Sequence, residues 1–133
     1  MHRYSQYAVI VARILMSAVF VVNGLGIVDQ NMAAKELAGV GLSGGMVSVL
    51  MLAARSVETV AGFALAFGIF PQWAALGLLI FLVPATWIGH PFWRLAGTPA
   101  FQGQMVNFFK NVAIMGGLLF IMGASRDHRR VKQ

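Results

Sequence analysis

Four ionisable side chains sit where charge is expensive. Arg13, Arg55, Glu58 and Lys110 all fall inside long apolar stretches. Near the centre of a membrane helix such a residue costs about 2.5–3.5 kcal/mol. Each must therefore be compensated or used. Arg55 and Glu58 are three residues apart, on one helix face. The plain reading is an ion pair that locks helices; the chemical one is a carboxyl group that exchanges protons beside a cation. Gln104, Asn107, Lys110 and Asn111 are spaced three, three and one. That spacing predicts one polar stripe on the first turns of a helix, facing the bundle interior because lipid would penalise it. Its plain reading is helix–helix hydrogen bonding at about 1 kcal/mol or less per asparagine. His90 and Asn23 end other apolar stretches at the same predicted level. Arg13 lies near the opposite side, where its long chain could snorkel to headgroups.

Together these residues predict a polar pocket. With His90 neutral, Arg55, Glu58 and Lys110 sum to +1, and an inward-pointing Arg13 raises this to +2. Such a balance suits an anionic or carbonyl-bearing ligand held by Arg13, Arg55, His90, Asn107, Lys110 and Asn111, with Glu58 moving protons. One histidine and one glutamate do not make a closed metal site, so no metal is expected. The other histidines, His2 and His128, lie at the opposite ends of the spans from His90, which argues against bis-histidine haem.

The elements that position these groups follow from composition. The chain has 133 residues, of which 59% are hydrophobic and 11% charged. Mean hydropathy is +0.76. A soluble domain carries about 25% charged residues, so a water-soluble enzyme and a disordered chain are both excluded. The length predicts one domain over 1–133 and leaves room for four spans of about 20 residues. They are predicted at roughly 7–28, 46–70, 73–90 and 104–123, all helical, because strand-like alternation is absent. Residues 31–38 read as a short surface helix. GVGLSGG at 39–45 lacks the Lys-Ser/Thr of a phosphate loop and reads as a turn. Arg13 and the length of the first stretch argue against a cleaved signal peptide. The chain has no cysteine, which removes disulfides, thiol redox chemistry and Cys-based zinc sites.

Lys and Arg placement predicts orientation. Arg3, Arg126, Arg129, Arg130 and Lys132 flank the termini; Lys35 and Arg94 lie in the other loops. The positive-inside rule then puts both termini in the cytoplasm. The basic tail reads as an anchor for anionic headgroups rather than a nucleic-acid site, since no stacking aromatics accompany it. Trp73, Trp87 and Trp93 read as interfacial belts. Gly62 with Ala66, and Ala113 with Gly117, read as close-contact faces.

VARILM at 11–16, NGLG at 23–26, ETVAGFALAFG at 58–68, GHPFW at 89–93 and NFFKNVAIMGGLLF at 107–120 stand in a fixed order. In that order the chain resembles the DoxX family of small four-helix bacterial membrane proteins, from about Val11 to Gly123. Arg13, Gly24, Glu58, His90, Lys110 and Asn111 match the family's recurring polar positions. Many members carry a lysine where this chain has Ile27. The family takes its name from a membrane subunit of a thiosulfate:quinone oxidoreductase. The resemblance therefore implies a multi-pass protein of the bacterial inner membrane and a quinone-linked oxidoreductase subunit. It also implies a quinone as the possible cofactor and a soluble redox protein as partner, and self-association is open. Two other functions compete. One is a transporter or lipid-handling protein switched by Glu58 and Arg55, against which no internal repeat is evident. The other is a non-catalytic scaffold.

Overall fold

The computed structural model describes the backbone of residues 2–130 and the side chains of residues 5–125. The basic groups at Arg3, Arg126, Arg129, Arg130 and Lys132, with His2 and His128, lie outside the described side chains. Five helices follow one another: α1 (His2–Gly24), α2 (Asn31–Gly39), α3 (Gly44–Phe67), α4 (Pro71–Gly89) and α5 (Phe101–Arg130). A single 3-10 turn, Phe92–Arg94, follows α4. The described residues contain no strand. Four segments are long and apolar enough to cross a membrane: Ser5–Gly24, Gly44–Phe67, Pro71–Arg94 and Phe101–Ser125. The all-α, four-span architecture is that predicted, and α2 is the short helix expected at 31–38.

The four long helices form a ring. α1 packs on α3, α3 on α4, α4 on α5, and α5 returns to α1 over a shorter seam. The diagonal pairs do not approach each other among the described residues. One end of the bundle carries both termini and the α3–α4 turn, and is called the terminal end. The other carries α2 and the 3-10 turn, and is called the loop end. α2 lies across α3 and α4 there.

The sequence fixes where each helix stops. Ser43 caps α3, its Oγ accepting from the Met46 N–H at 3.3 Å. At the far end Gly68 adopts φ +72°, the Gly68 N–H bonds Leu65 O (3.2 Å) and the Ile69 N–H bonds Ala64 O (2.8 Å). This is a Schellman ending. Phe70, with φ 44°, completes the turn, and Pro71 opens α4. α4 then continues through Pro84 without a break.

α1 ends in the same way, at mid-bundle. Gly26 has φ +72°, the Gly26 N–H bonds Asn23 O (2.9 Å) and the Ile27 N–H bonds Val22 O (3.1 Å). The predicted first span ran on to Val28, but Leu25, Ile27 and Val28 are exposed and non-helical. Gly24 sets the crossing of α1 on α3. A Cβ there would stand 2.7 Å from the Thr59 nitrogen. From that crossing α3 continues for about 20 Å toward the loop end. The core lies on the other side of the crossing. Phe20, Leu65, Ala74, Ala75, Leu78, Leu82, Leu118 and Ile121 form it.

Candidate functional site

Between the crossing and the loop end the interior turns polar. Glu58 is its most deeply buried ionisable group, only 7% exposed. It sits on the same face of α3 as the core residues Gly62 and Leu65, so burial is imposed by the helix rather than by an ion pair. The side chain of Asn23, from the last turn of α1, offers it a hydrogen bond, and Arg55 lies within electrostatic reach. The ion pair read from the Arg55–Glu58 spacing does not form. Arg55 points instead to α1, where its Nε donates to Gly24 O at 3.2 Å.

Toward the loop end α4 and α5 supply the next polar groups. Thr86 is buried; its Oγ1 donates to Leu82 O (2.7 Å) and accepts from Asn111 Nδ2 (3.1 Å). One turn further, His90 ends α4 and its Nδ1 bonds Gln104 Oε1 at 2.7 Å. A carbonyl oxygen can only accept, so Nδ1 carries the proton and Nε2 is left as the ring's other polar atom. Asn107 is half-buried between these two levels and bonds no described residue. Glu36 of α2 reaches the same end, its carboxylate 3.2 Å from where a Gly89 Cβ would stand. Burial raises its pKa, and the charge of His90 partly offsets this. Phe92 roofs the α4–α5 end with edge contacts to Trp93, Phe101 and Phe108 at 5.3–6.1 Å. The result is a ladder of polar side chains from His90, Gln104 and Glu36 down to Glu58 and Asn23 at mid-span.

Three expectations need correction. Lys110 does not share the interior stripe. It is exposed and lines a shallow apolar groove of about 370 Å³ with Met105, Val106, Phe109 and Ala113. The reason is rotation: Lys110 directly precedes Asn111 and is therefore about 100° away around the helix. The interior face carries Gln104, Asn107 and Asn111 only. Arg55 is likewise exposed. Arg13 is not part of the ladder at all but stands at the terminal end, beside Gly68.

The two arginines reveal a pattern that the residue-by-residue reading missed. Arg55 of α3 lies over Gly26, the left-handed glycine that ends α1, and Arg13 of α1 lies over Gly68, which ends α3. A Cβ on either glycine would strike the guanidinium. Each helix thus places a cation at the negative C-terminal pole of its neighbour. Arginine and glycine are thirteen residues apart in both helices. That repeated spacing was the available signal, and it amends the expectation of no internal repeat. Glu36 and Thr86 were also absent from the predicted site residues, and Asn23, expected at the level of the pocket, had been given no role in it.

The DoxX family profile matches residues 8–91, which include Arg13, Asn23, Arg55, Glu58, Thr86 and His90 but end before α5. No curated protein and no solved structure matches the chain.

Proposed function

The chain belongs to the DoxX family, and on that premise we propose that it is the membrane subunit of a quinone-linked oxidoreductase system. The observation that carries this reading is Glu58, a carboxyl group buried at mid-span with no cation in ion-pair contact and a polar ladder between it and the loop end. With both termini in the cytoplasm of a bacterial cell, that ladder would open on the outer face of the inner membrane.

The residues present suit a quinone. A ligand with two carbonyl groups needs two donors, and the α4–α5 end offers them. The amide of Asn107 and Nε2 of Gln104 bond no described residue, and His90 keeps one ring nitrogen outside the Gln104 bond. The rings of Phe92, Trp93 and Phe108 form an aromatic wall beside them. A bound quinone would supply a two-electron acceptor that takes up two protons as it becomes the quinol. A soluble redox protein would deliver those electrons and be oxidised. In this scheme the amide groups of Asn107 and Gln104 donate to the carbonyl oxygens, and His90 Nε2, with Nδ1 holding the proton, accepts from a hydroxyl of the quinol. Glu58, hydrogen-bonded by Asn23, is the buried group that would give up and take back the protons. Lys110 is left outside this set, since its side chain faces away from the interior.

Extraction of the protein purified in mild detergent tests the proposal. Retained quinone is expected, with Asn107→Leu reducing retention about tenfold, the worth of one good hydrogen bond in a dry site. Glu58→Gln should keep the quinone but slow proton uptake. Wild-type protein that neither retains nor rebinds quinone would sink it. A scaffold reading has one observation in its favour: the Arg55–Gly24 and Asn111–Thr86 bonds lock helices without any ligand. It requires the double change Arg55→Met/Glu58→Leu to leave the cell's phenotype intact.

A further inference from the structure

The reciprocal arginines are not equivalent. At the end of α1 every terminal carbonyl has a donor. Val21 O takes the Leu25 N–H, Val22 O the Ile27 N–H, and Asn23 O both the Gly26 N–H and Gln30 Nε2, while Gly24 O takes Arg55 Nε. The Nε of Arg55 is thus employed. Arg13 stands in the same relation to Gly68, yet its Nε is buried and bonds no described residue. An orphaned buried donor on a charged group is costly to keep and calls for a partner.

The space beside Arg13 suggests one. A cleft of about 270 Å³ opens there, lined by Gln6, Val9, Ile10 and Arg13 of α1, Pro71 of α4, and Ala124 and Ser125 of α5. It occupies the α1–α5 seam, the thinnest contact in the ring. Its charge balance favours an anion. The C-terminal pole of α3 and the N-terminal pole of α4 meet at this turn, and their opposite half-charges roughly cancel. Among the described residues no carboxylate offsets the guanidinium charge, since Asp29, Glu36 and Glu58 all lie toward the other end or at mid-span. Gln6 and Ser125 add neutral hydrogen-bonding groups. The remaining wall is apolar and faces lipid; Ile10 is 41% exposed. Polar groups at the interfacial level, with an apolar strip leading into the hydrocarbon, describe an amphiphile rather than a free ion.

We propose that the Arg13 cleft is a binding site for an anionic phospholipid, with its phosphate on the guanidinium and an acyl chain along Val9 and Ile10. The guanidinium lines the cleft, and a turn of it toward the phosphate would give the orphaned Nε an acceptor in the strong, charge-assisted type of hydrogen bond. The lipid also fills the gap between α1 and α5, so it completes the ring at the terminal end. The arginine repeat then has two uses: one copy closes a helix end by itself, and the other closes a helix end while holding a lipid.

Native mass spectrometry of the full chain released from mild detergent tests this, with dioleoylphosphatidylglycerol and dioleoylphosphatidylcholine offered in equal amounts. A preference of about tenfold for the phosphatidylglycerol is expected. Arg13→Gln should reduce it to near parity. Should that variant fold poorly, Ser125→Trp blocks the cleft and leaves Arg13 in place; it should also abolish the preference. Equal retention of the two lipids by the wild type, or a preference that survives both variants, overturns the proposal. So does full displacement of the lipid by inorganic phosphate, which would make the cleft a site for the free anion.

Discussion

The two halves of the bundle are built on different principles. From the Gly24–Thr59 crossing to the terminal end, the interior is apolar and closed. Leu65, Ala75, Leu78 and Leu118 have no accessible surface. Gly62 lets α3 approach Phe20 and Val21 of α1, and Gly117 lies under Met16. From the crossing to the loop end, Val47 is the only buried large apolar side chain among the described residues. The interior there consists of Glu58, Thr86, Asn111, Asn107 and the His90–Gln104 pair. In lipid, apolar surface gains little by leaving the solvent, so helices are held by contact and by hydrogen bonds. The terminal half relies on contact. The loop half relies on hydrogen bonds, and those can be exchanged with a ligand or a proton. Stability and chemistry are thereby separated along the bundle axis.

The largest effect should come from the closed half. Leu118→Ala leaves a cavity that lipid cannot reach. A loss of about 2 kcal/mol is expected, the low end of the range for such truncations, because the side chain leaves surroundings no more apolar than lipid. Val47→Ala, in the open half, should cost well under half of that. Equilibrium unfolding in detergent micelles measures both. Equal costs would mean that the two halves share one kind of core, and the contrast would fail.

The same division explains what could be read from sequence. Span number, helical class and the approximate ends of three spans follow from apolar length, since lipid demands it. The end of the first span did not follow. Leu25, Ile27 and Val28 continue the apolar run, but Gly24 is jammed against Thr59 and Gly26 turns the chain. That stop is a tertiary contact, invisible to hydropathy. Glu58 was legible because a mid-span carboxylate has nowhere else to go. Lys110 was misplaced because three-residue steps drift around a helix, and an extra step of one adds about 100°. Glu36 had no signal of its own: its burial arises only when α2 folds back over α3 and α4.

A middling effect is expected for the Thr86–Asn111 bond. Thr86→Val keeps the shape and removes the acceptor, leaving Asn111 Nδ2 unpaired. Stability should fall by about 1 kcal/mol, and the coupling in a double-mutant cycle with Asn111→Leu should be about 0.5–1 kcal/mol. The same cycle sharpens the contrast between the halves. If the open half is meant to exchange partners, adding quinone should reduce the measured coupling. A coupling indifferent to quinone would place this pair with the scaffold.

The smallest effect belongs to the outermost group of the ladder. Burial of Glu36 raises its carboxyl above the ordinary value of 4.5, with His90 opposing the rise. The folded protein therefore holds this proton more tightly than the unfolded chain does. Between 4.5 and the raised value the folded state binds more protons, so stability falls as pH rises through that window and levels off above it. Glu36→Gln should remove that slope. His90→Gln should extend the window upward, because the charge that holds the carboxyl down is gone. Thermal midpoints in micelles from about pH 4 to 7 suffice to see it. Identical slopes in wild type and Glu36→Gln would show that α2 does not cover the loop end. The ladder would then meet water directly at His90, and access to Glu58 would be controlled by the α4–α5 aromatics alone.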